Sequence, residues 1–293
     1  MPTPAMTTLP STFRAALLLV LLILLLGPPR GAVAQQTAAT ATPLTIGQTF
    51  TLVSRVLGET RRINVYIPPG FPDSANMALP VLYMPDGGMA EDFLHVAGLV
   101  QVSVGNGTMR PFLLVGIENT ERRRDLTGPT TDPEDRKIAP RVGGSAAFRR
   151  FLRQELMPEI SRRYRVTGEK AIIGESLAGL FVLETLFLEP DLFDTYLAFD
   201  PSLWWNKEHL LGQVPAFLRS YQGPPKHLFV AASSQPDIAR ETRRLDTLFQ
   251  QAANQRLVAS FVALPQETHG TIYHPAALLA IRAALAPEPI RKK

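Results

Sequence analysis

The chain reads as an α/β protein: a mostly parallel central sheet with helices on both faces. Three observations predict this. Apolar runs of strand length recur at 80–84, 112–117, 171–173 and 228–232, as expected of strands covered on both faces, and further strands are read at 195–199 and 258–264. Longer stretches with apolar residues at helical spacing separate them, the alternation that builds a parallel sheet. One run, Gly174-Glu175-Ser176-Leu177-Ala178-Gly179, passes from strand to helix at a serine, which is how a tight elbow exposes a nucleophile at the carboxyl end of a sheet.

Taken in order, the chain opens with a segment outside that pattern. Arg14 precedes an apolar block from Ala15 to Leu26, followed by Gly27-Pro28-Pro29 and then Ala32-Val33-Ala34. A positive charge, a short apolar core and an A-x-A site make residues 1–34 a secretory signal peptide. The block is shorter than the ~20 residues of a membrane span, so no stable membrane insertion is expected after cleavage, an uncleaved anchor being the alternative. The chain contains no cysteine, so no disulfide or lipoprotein attachment is available, and a periplasmic or secreted location is expected. Residues 35–43, rich in Thr, Ala and Gln, read as a disordered leader. A single folded domain is expected over 44–293, since no repeat or second composition shift follows.

Phe50–Leu57 and Arg61–Ile67 alternate in the manner of a hairpin around Gly58-Glu59. The strand at 80–84 ends in Pro85-Asp86-Gly87-Gly88, and helical spacing runs from Glu91 to about Val104. After the strand at 112–117 comes a polar stretch to Gly144, a length that in compact domains marks function or disorder. Ala146–Tyr164 is an amphipathic helix with Pro158 inside it, so a kink near Met157 is expected. Helices are further expected over Leu177–Leu188, Lys207–Leu218, around Leu245–Phe249, and over Pro275–Leu285.

A serine attacks a carbonyl only when a base takes its proton, and the base needs an orienting partner. In the α/β-hydrolase order the chain runs Ser, acid, His. Ser176 is the candidate nucleophile. His269 follows the last strand and is the candidate base, whereas His274 abuts Pro275 and reads as the start of a helix. For the acid, Asp237 leads because it follows the strand at 228–232, with Asp200, Glu241 or no acid at all as alternatives. Asp237 also suits a helix N-terminus. An oxyanion hole takes one amide from the residue after the nucleophile, Leu177, and one from an earlier strand-to-helix loop, where Gly88 is preferred. Arg122, Arg123 and Arg124 leave the strand at 112–117 at its carboxyl end, and with Trp204 and Trp205 they are candidates to hold an anionic aromatic acyl group. The formal net charge of +4 comes from scattered residues, with no basic stripe of the kind that binds nucleic acid. No H-E-x-x-H or clustered ligand spacing is present, so neither a metal nor another cofactor is expected. Oligomeric state is left open.

Several segments together carry a resemblance. Val81-Leu82-Tyr83-Met84-Pro85-Asp86-Gly87, Val115-Gly116-Ile117-Glu118-Asn119, Arg124-Asp125-Leu126-Thr127, Gly174 to Leu180, Pro201-Ser202-Leu203-Trp204-Trp205 and Thr268-His269-Gly270 occur in that order. The chain resembles the esterase family of α/β hydrolases, and most closely the branch that includes esterases of catecholate trilactone siderophores. The resemblance implies a serine carboxylesterase with Ser176 as nucleophile, His269 as base and Gly88 and Leu177 as oxyanion amides, acting on a small-molecule ester. It leaves the acid open: Asp200 stands where many members have serine, Ser233-Ser234-Gln235-Pro236 replaces a Gly-acidic segment, and some members work with a Ser-His pair. Ala178 also replaces the usual glycine of the elbow. An acyltransferase on the same fold, or an inactive hydrolase-like binding protein, are the competing readings.

Overall fold

The computed structural model describes residues 41–71, 77–252 and 254–287. The expected signal peptide and most of the leader lie outside the described residues. Residues 41–43 are exposed and without regular structure. From Ile46 onward the chain clusters as a single compact unit.

In chain order, β1 (Gln48–Ser54) and β2 (Glu59–Tyr66) form the expected hairpin, followed by β3 (Leu79–Pro85), α1 (Phe93–Gly105) and β4 (Leu113–Ile117). The polar stretch after β4 is not structureless. It holds two one-turn helices, α2 (Arg122–Leu126) and α3 (Pro133–Lys137). Then come α4 (Ser145–Phe151), a π-helical turn (Leu152–Leu156), α5 (Met157–Arg163), β5 (Val166–Glu175), α6 (Leu177–Leu188) and β6 (Thr195–Phe199). The last elements are α7 (Trp205–Ser220), β7 (Lys226–Ala232), α8 (Pro236–Ala252), β8 (Leu257–Ala263) and α9 (Tyr273–Ala284).

The sheet has eight strands in the order β1-β2-β4-β3-β5-β6-β7-β8. The first hairpin and its junction with β4 are antiparallel, and every pairing from β4 to β8 is parallel. Alternation along the strands sends side chains into two cores. Val81, Tyr83 and Ile172 meet Phe148, Phe151, Leu183, Leu211 and Leu245 on one face. Leu82, Met84, Ala171 and Ile173 meet Phe93, Val96, Ala277 and Ile281 on the other. Helix α6 is buried along nearly its whole length, which explains why its sequence lacks a polar face.

Two local departures have clear causes. The break expected at Pro158 is made as the wide π turn just before it, because the proline has no N–H to donate back into the helix. That turn also carries Glu155, whose carboxylate accepts from Ser54 Oγ and from the Arg55 and Val56 amides at the β1–β2 turn. Helix α7 begins with Asn206, Lys207 and Glu208 in left-handed conformation. Asn206 secures this turn: its amide donates to Asp135 Oδ2 (2.8 Å) and its Oδ1 accepts from the Thr131 amide (3.0 Å).

Candidate active site

The elbow forms as the sequence implies. Ser176 lies between the end of β5 and the start of α6 with φ 59° and ψ −120°, a left-handed position that a non-glycine residue holds only under external constraint. The constraint is visible. The Ser176 amide donates to Phe199 O (3.0 Å), and its carbonyl accepts from the Leu180 and Ser202 amides (2.9 and 3.1 Å). Any Cβ on Gly174 would sit 2.7 Å from Ala178 Cβ, so Gly174 makes the room that an alanine at 178 takes up. Gly179 lies under the end of β6, where a Cβ would come within 2.8 Å of Phe199 O.

Ser176 Oγ is 3.0 Å from His269 Nε2, and the other ring nitrogen, Nδ1, is 3.0 Å from Asp200 Oδ2. His269 comes from the loop after β8 and Asp200 from the turn after β6. Asp200 is fully buried, at 0 % exposure, with φ 40°. Its Oδ1 accepts from the Ser233 amide and its Oδ2 from Ser233 Oγ, both at 2.6 Å. Three donors, the Ser233 amide and hydroxyl and the His269 ring N–H, therefore converge on this buried carboxylate. The hydrogen bond to Asp200 raises the His269 pKa above its ordinary value, against the opposing effect of burial.

Asp237, expected as the acid, is not beside His269. It sits in the first turn of α8, 68 % exposed, paired with Arg240 one turn on. The chain enters α8 directly from Pro236, so a carboxylate there projects at the helix start instead of back over the sheet. Glu241, the other alternative, is buried in the same helix beside Arg240 and Glu208, and burial pushes its pKa to about 7. It too has no contact with His269 among the described residues.

Of the expected oxyanion amides, Leu177 opens α6, where the first N–H groups have no intrahelical partner. Gly88 departs from expectation: its amide donates to Glu91 Oε2 at 2.7 Å, and the neighbouring Gly87 amide to Ile117 O. The proposed substrate arginines divide. Arg122 stays at the site, with Nε and Nη2 bonded to the two oxygens of Asp86 (2.7 and 2.8 Å) and Nη2 3.5 Å from Glu175 O. Arg124 instead points into a packed ion cluster, bonded to Glu59 and Asp125, and Arg123 donates to Ile138 O. Both are turned away from Ser176 by the helical turn of α2, which sends successive side chains in different directions. Trp205 is core, its Nε1 donating to Gly128 O (2.9 Å). Trp204 is partly exposed two residues beyond Ser202, whose Oγ is 3.5 Å from Ser176 Oγ.

Sequence reasoning passed over Glu175, Ser233 and Asp86. Glu175 Oε1 is 3.3 Å from His269 Nδ1. Burial, opposed by His269 and Arg122, pushes its pKa to about 7. A charged residue following the buried run Ala171–Gly174 at the end of β5 was the available signal. Glu175, Asp200 and His269 offer ligand atoms within 4.8 Å of one another, but His269 Nδ1 and Asp200 are engaged with each other, an acid–base pairing and not an open cradle for a cation. A cavity of about 930 Å³ beside α8, at the carboxyl ends of β7 and β8, is lined by Ser233, Arg240, Arg243 and Phe261 and by none of Ser176, His269 or Asp200.

Sheet order, elbow and a Ser–His–Asp line define an α/β hydrolase. Residues 54–271 match the model of the family described as "Putative esterase", and the chain belongs to that family. It is 30 % identical over 280 residues to the ferri-bacillibactin esterase BesA of Bacillus subtilis, covering 85 % of this chain and 93 % of that one. Over 159 residues it is also 30 % identical to the siderophore triacetylfusarinine C esterase of Aspergillus fumigatus, covering 48 % of this chain and half of that one. Among solved structures, an IroE-like serine hydrolase from Shewanella oneidensis superposes with a TM-score of 0.74 at 29 % identity, covering 80 % of this chain and 79 % of that one.

Proposed function

We propose that this protein is an exported serine esterase that opens the ester bonds of a siderophore or a related small molecule through an acyl-enzyme on Ser176. The observation that carries this reading is the continuous line from Ser176 Oγ through His269 to Asp200, with both contacts at 3.0 Å. Neutral His269 takes the Ser176 proton on Nε2 as Oγ bonds to the ester carbonyl carbon. Asp200 holds the Nδ1 proton, fixes the tautomer, and stabilises the imidazolium that results. His269 then gives its proton to the leaving alkoxide, and a water attacks the acyl-enzyme by the same path in reverse.

The Leu177 amide, fixed by the elbow, is one donor to the oxyanion. Gly88 serves as the second when Glu91 releases its amide. Arg122, held by Asp86 and reaching the Glu175 carbonyl, and the exposed edge of Trp204 line the approach. The siderophore class is supported by the similarity to the ferri-bacillibactin and triacetylfusarinine C esterases, and export by the charge, apolar block and A-x-A pattern of residues 1–34.

Purified protein is assayed with p-nitrophenyl acetate and with a trilactone siderophore. Activity on both, reduced by roughly 10⁴-fold or more in Ser176→Ala with folding intact, is the expected result. Retained turnover in Ser176→Ala sinks the serine mechanism, while cleavage of the simple ester alone removes the siderophore. His269→Ala is expected to cost about as much, and the double variant no more, because the pair acts as a unit. N-terminal sequencing of exported material checks for a start after residue 34.

A further inference from the structure

This inference deepens the esterase reading and rests on it. An ordinary triad gives its histidine a single carboxylate. Here two converge on the same ring nitrogen: Asp200 Oδ2 at 3.0 Å and Glu175 Oε1 at 3.3 Å from His269 Nδ1. The two carboxylates are not equivalent. Asp200 has the hydrogen bond and is locked by Ser233. Glu175 Oε1 is buried and has no hydrogen-bond partner, although the half-buried carboxylate lies only one residue from the nucleophile. Leaving such an oxygen unpaired is costly, and the elbow itself needs no charge at this position.

We propose that Glu175 is a second carboxylate for the His269 imidazolium, a positioning residue that holds His269 through charge and takes over part of the Asp200 role when Asp200 is neutralised. An Nδ1 hydrogen can be donated well to one acceptor, and Asp200 receives it. Coulomb attraction is not directional, so Glu175 adds to the field on the ring without competing for that hydrogen. The charged groups that face Glu175 come from every side. Asp200 at the end of β6 and Asp86 at the end of β3 oppose its ionisation, whereas His269 and Arg122 on α2 favour it. Tyr273 on α9 also feels its charge, but stays a neutral phenol because burial holds its pKa well above the ordinary value. Before attack, with His269 neutral, Arg122 is the cation that faces Glu175, against the like charges of Asp200 and Asp86. When the Ser176 proton reaches His269, the ring beside Glu175 becomes a full cation and the ionised form of Glu175 is favoured. The interaction is strongest in the state that leads to acyl transfer, which is where stabilisation accelerates a reaction.

The test compares the parent with Glu175→Gln, Asp200→Asn and the double variant, reading kcat/KM for p-nitrophenyl acetate across the acid limb. The His269 ring is titrated by NMR in the Ser176→Ala background, with and without Glu175→Gln, so one readout is free of turnover. Removing the carboxylate is expected to raise the acidity of the His269 imidazolium by about tenfold. The acid limb then moves to lower pH by the same factor, and Asp200→Asn costs about tenfold more without Glu175 than with it. Glu175→Asp, which keeps the charge, restores most of the titration shift, whereas a purely structural role for the side chain predicts no shift to restore. An unmoved His269 titration, or an Asp200→Asn cost that is the same in both backgrounds, overturns the proposal. Turnover retained in Ser176→Ala would instead overturn the esterase reading, and the NMR result stands apart from that outcome.

Discussion

Glu59 begins β2 and Glu175 ends β5, and each is packed into a cluster of charge. For Glu59, burial alone would raise the pKa, but hydrogen bonds from Arg124, Arg61 and Thr120 more than offset it and hold the carboxyl at about 2. Glu175 has the same ordinary value but is more deeply buried, with only the more distant charges of His269 and Arg122 against that effect, and its pKa stands at about 7. In the first cluster Arg61 and Arg124 are matched by Glu59 and Asp125. The Arg61 guanidinium, at 0 % exposure, lies 5.2 Å from the centre of the Phe148 ring, so its unpaired nitrogens rest against aromatic surface. In the second cluster carboxylates outnumber cations. Burial, then Asp86, pushes Asp92 near it to about 6. One arrangement is balanced in charge and holds the hairpin to α2; the other is short of positive charge at the place where the proposed mechanism forms a cation. Buried charge by itself does not mark a site. The imbalance does.

The sharpest way to break this contrast is to neutralise one member of each cluster. Asp200→Asn keeps shape but offers His269 the wrong partner, and turnover on p-nitrophenyl acetate is expected to fall between about 10²- and 10⁴-fold. Asp125→Ala leaves Arg61 buried with one partner fewer, and unfolding free energy is expected to drop by about 3–5 kcal/mol in chemical denaturation. Its kcat, measured where the variant remains folded, should stay near the parent value. If Asp125→Ala instead lost turnover at full stability, Arg124 and its neighbours would belong to the substrate site after all.

The two glutamates should also bend stability with pH in opposite senses. The Glu59 pKa is depressed, so its contribution is present above about 4.5 and is lost as pH falls toward about 2. The Glu175 pKa is raised, so its cost is absent below about 4.5 and grows as pH rises through about 7. Glu59→Gln is therefore expected to lower Tm at neutral pH and to change little near the acid end. Glu175→Gln should raise Tm above neutrality and be silent in acid. Each effect is at most about 3 kcal/mol. Thermal melts of both variants over this range check it, and parallel curves would mean that the clusters do not differ as described.

These contrasts also show what the sequence could and could not reveal. Strand runs, the Ser176 elbow and a histidine after the last strand follow from local patterning, because burial on both faces and a strand-to-helix turn each leave a short-range signature. Arg122 and Arg124 are neighbours in sequence with the same chemistry, yet a single helical turn sends one to Asp86 beside the elbow and the other to Glu59. Which carboxylate lies across from each is set by strand order, and β2, β3 and β5 are brought together only by the sheet. The carboxylate beside His269 was hidden for the same reason. Asp200 and Asp237 both follow a buried strand, and the difference lies in what receives each turn: after β6 the chain drops under the His269 loop and meets Ser233, whereas after β7 it runs straight into a helix.

That difference gives the smallest expected effect. Asp237 lies at the positive end of the α8 dipole and pairs with Arg240 at the surface. Asp237→Asn removes the charge from both interactions, which at an exposed helix start is worth about 0.3–1 kcal/mol and is reduced by salt. The side chain is far from burial and holds no contact with His269, so kcat/KM and its acid limb should match the parent. Measured beside Asp200→Asn, the two substitutions make the same chemical change at the ends of neighbouring strands. A loss of turnover at 237 comparable to that at 200 would mean that the β7 turn refolds over His269 in the working enzyme, and the acid assignment would revert to Asp237. A small, salt-sensitive loss of stability with turnover intact confines the Asp237 role to the helix it begins.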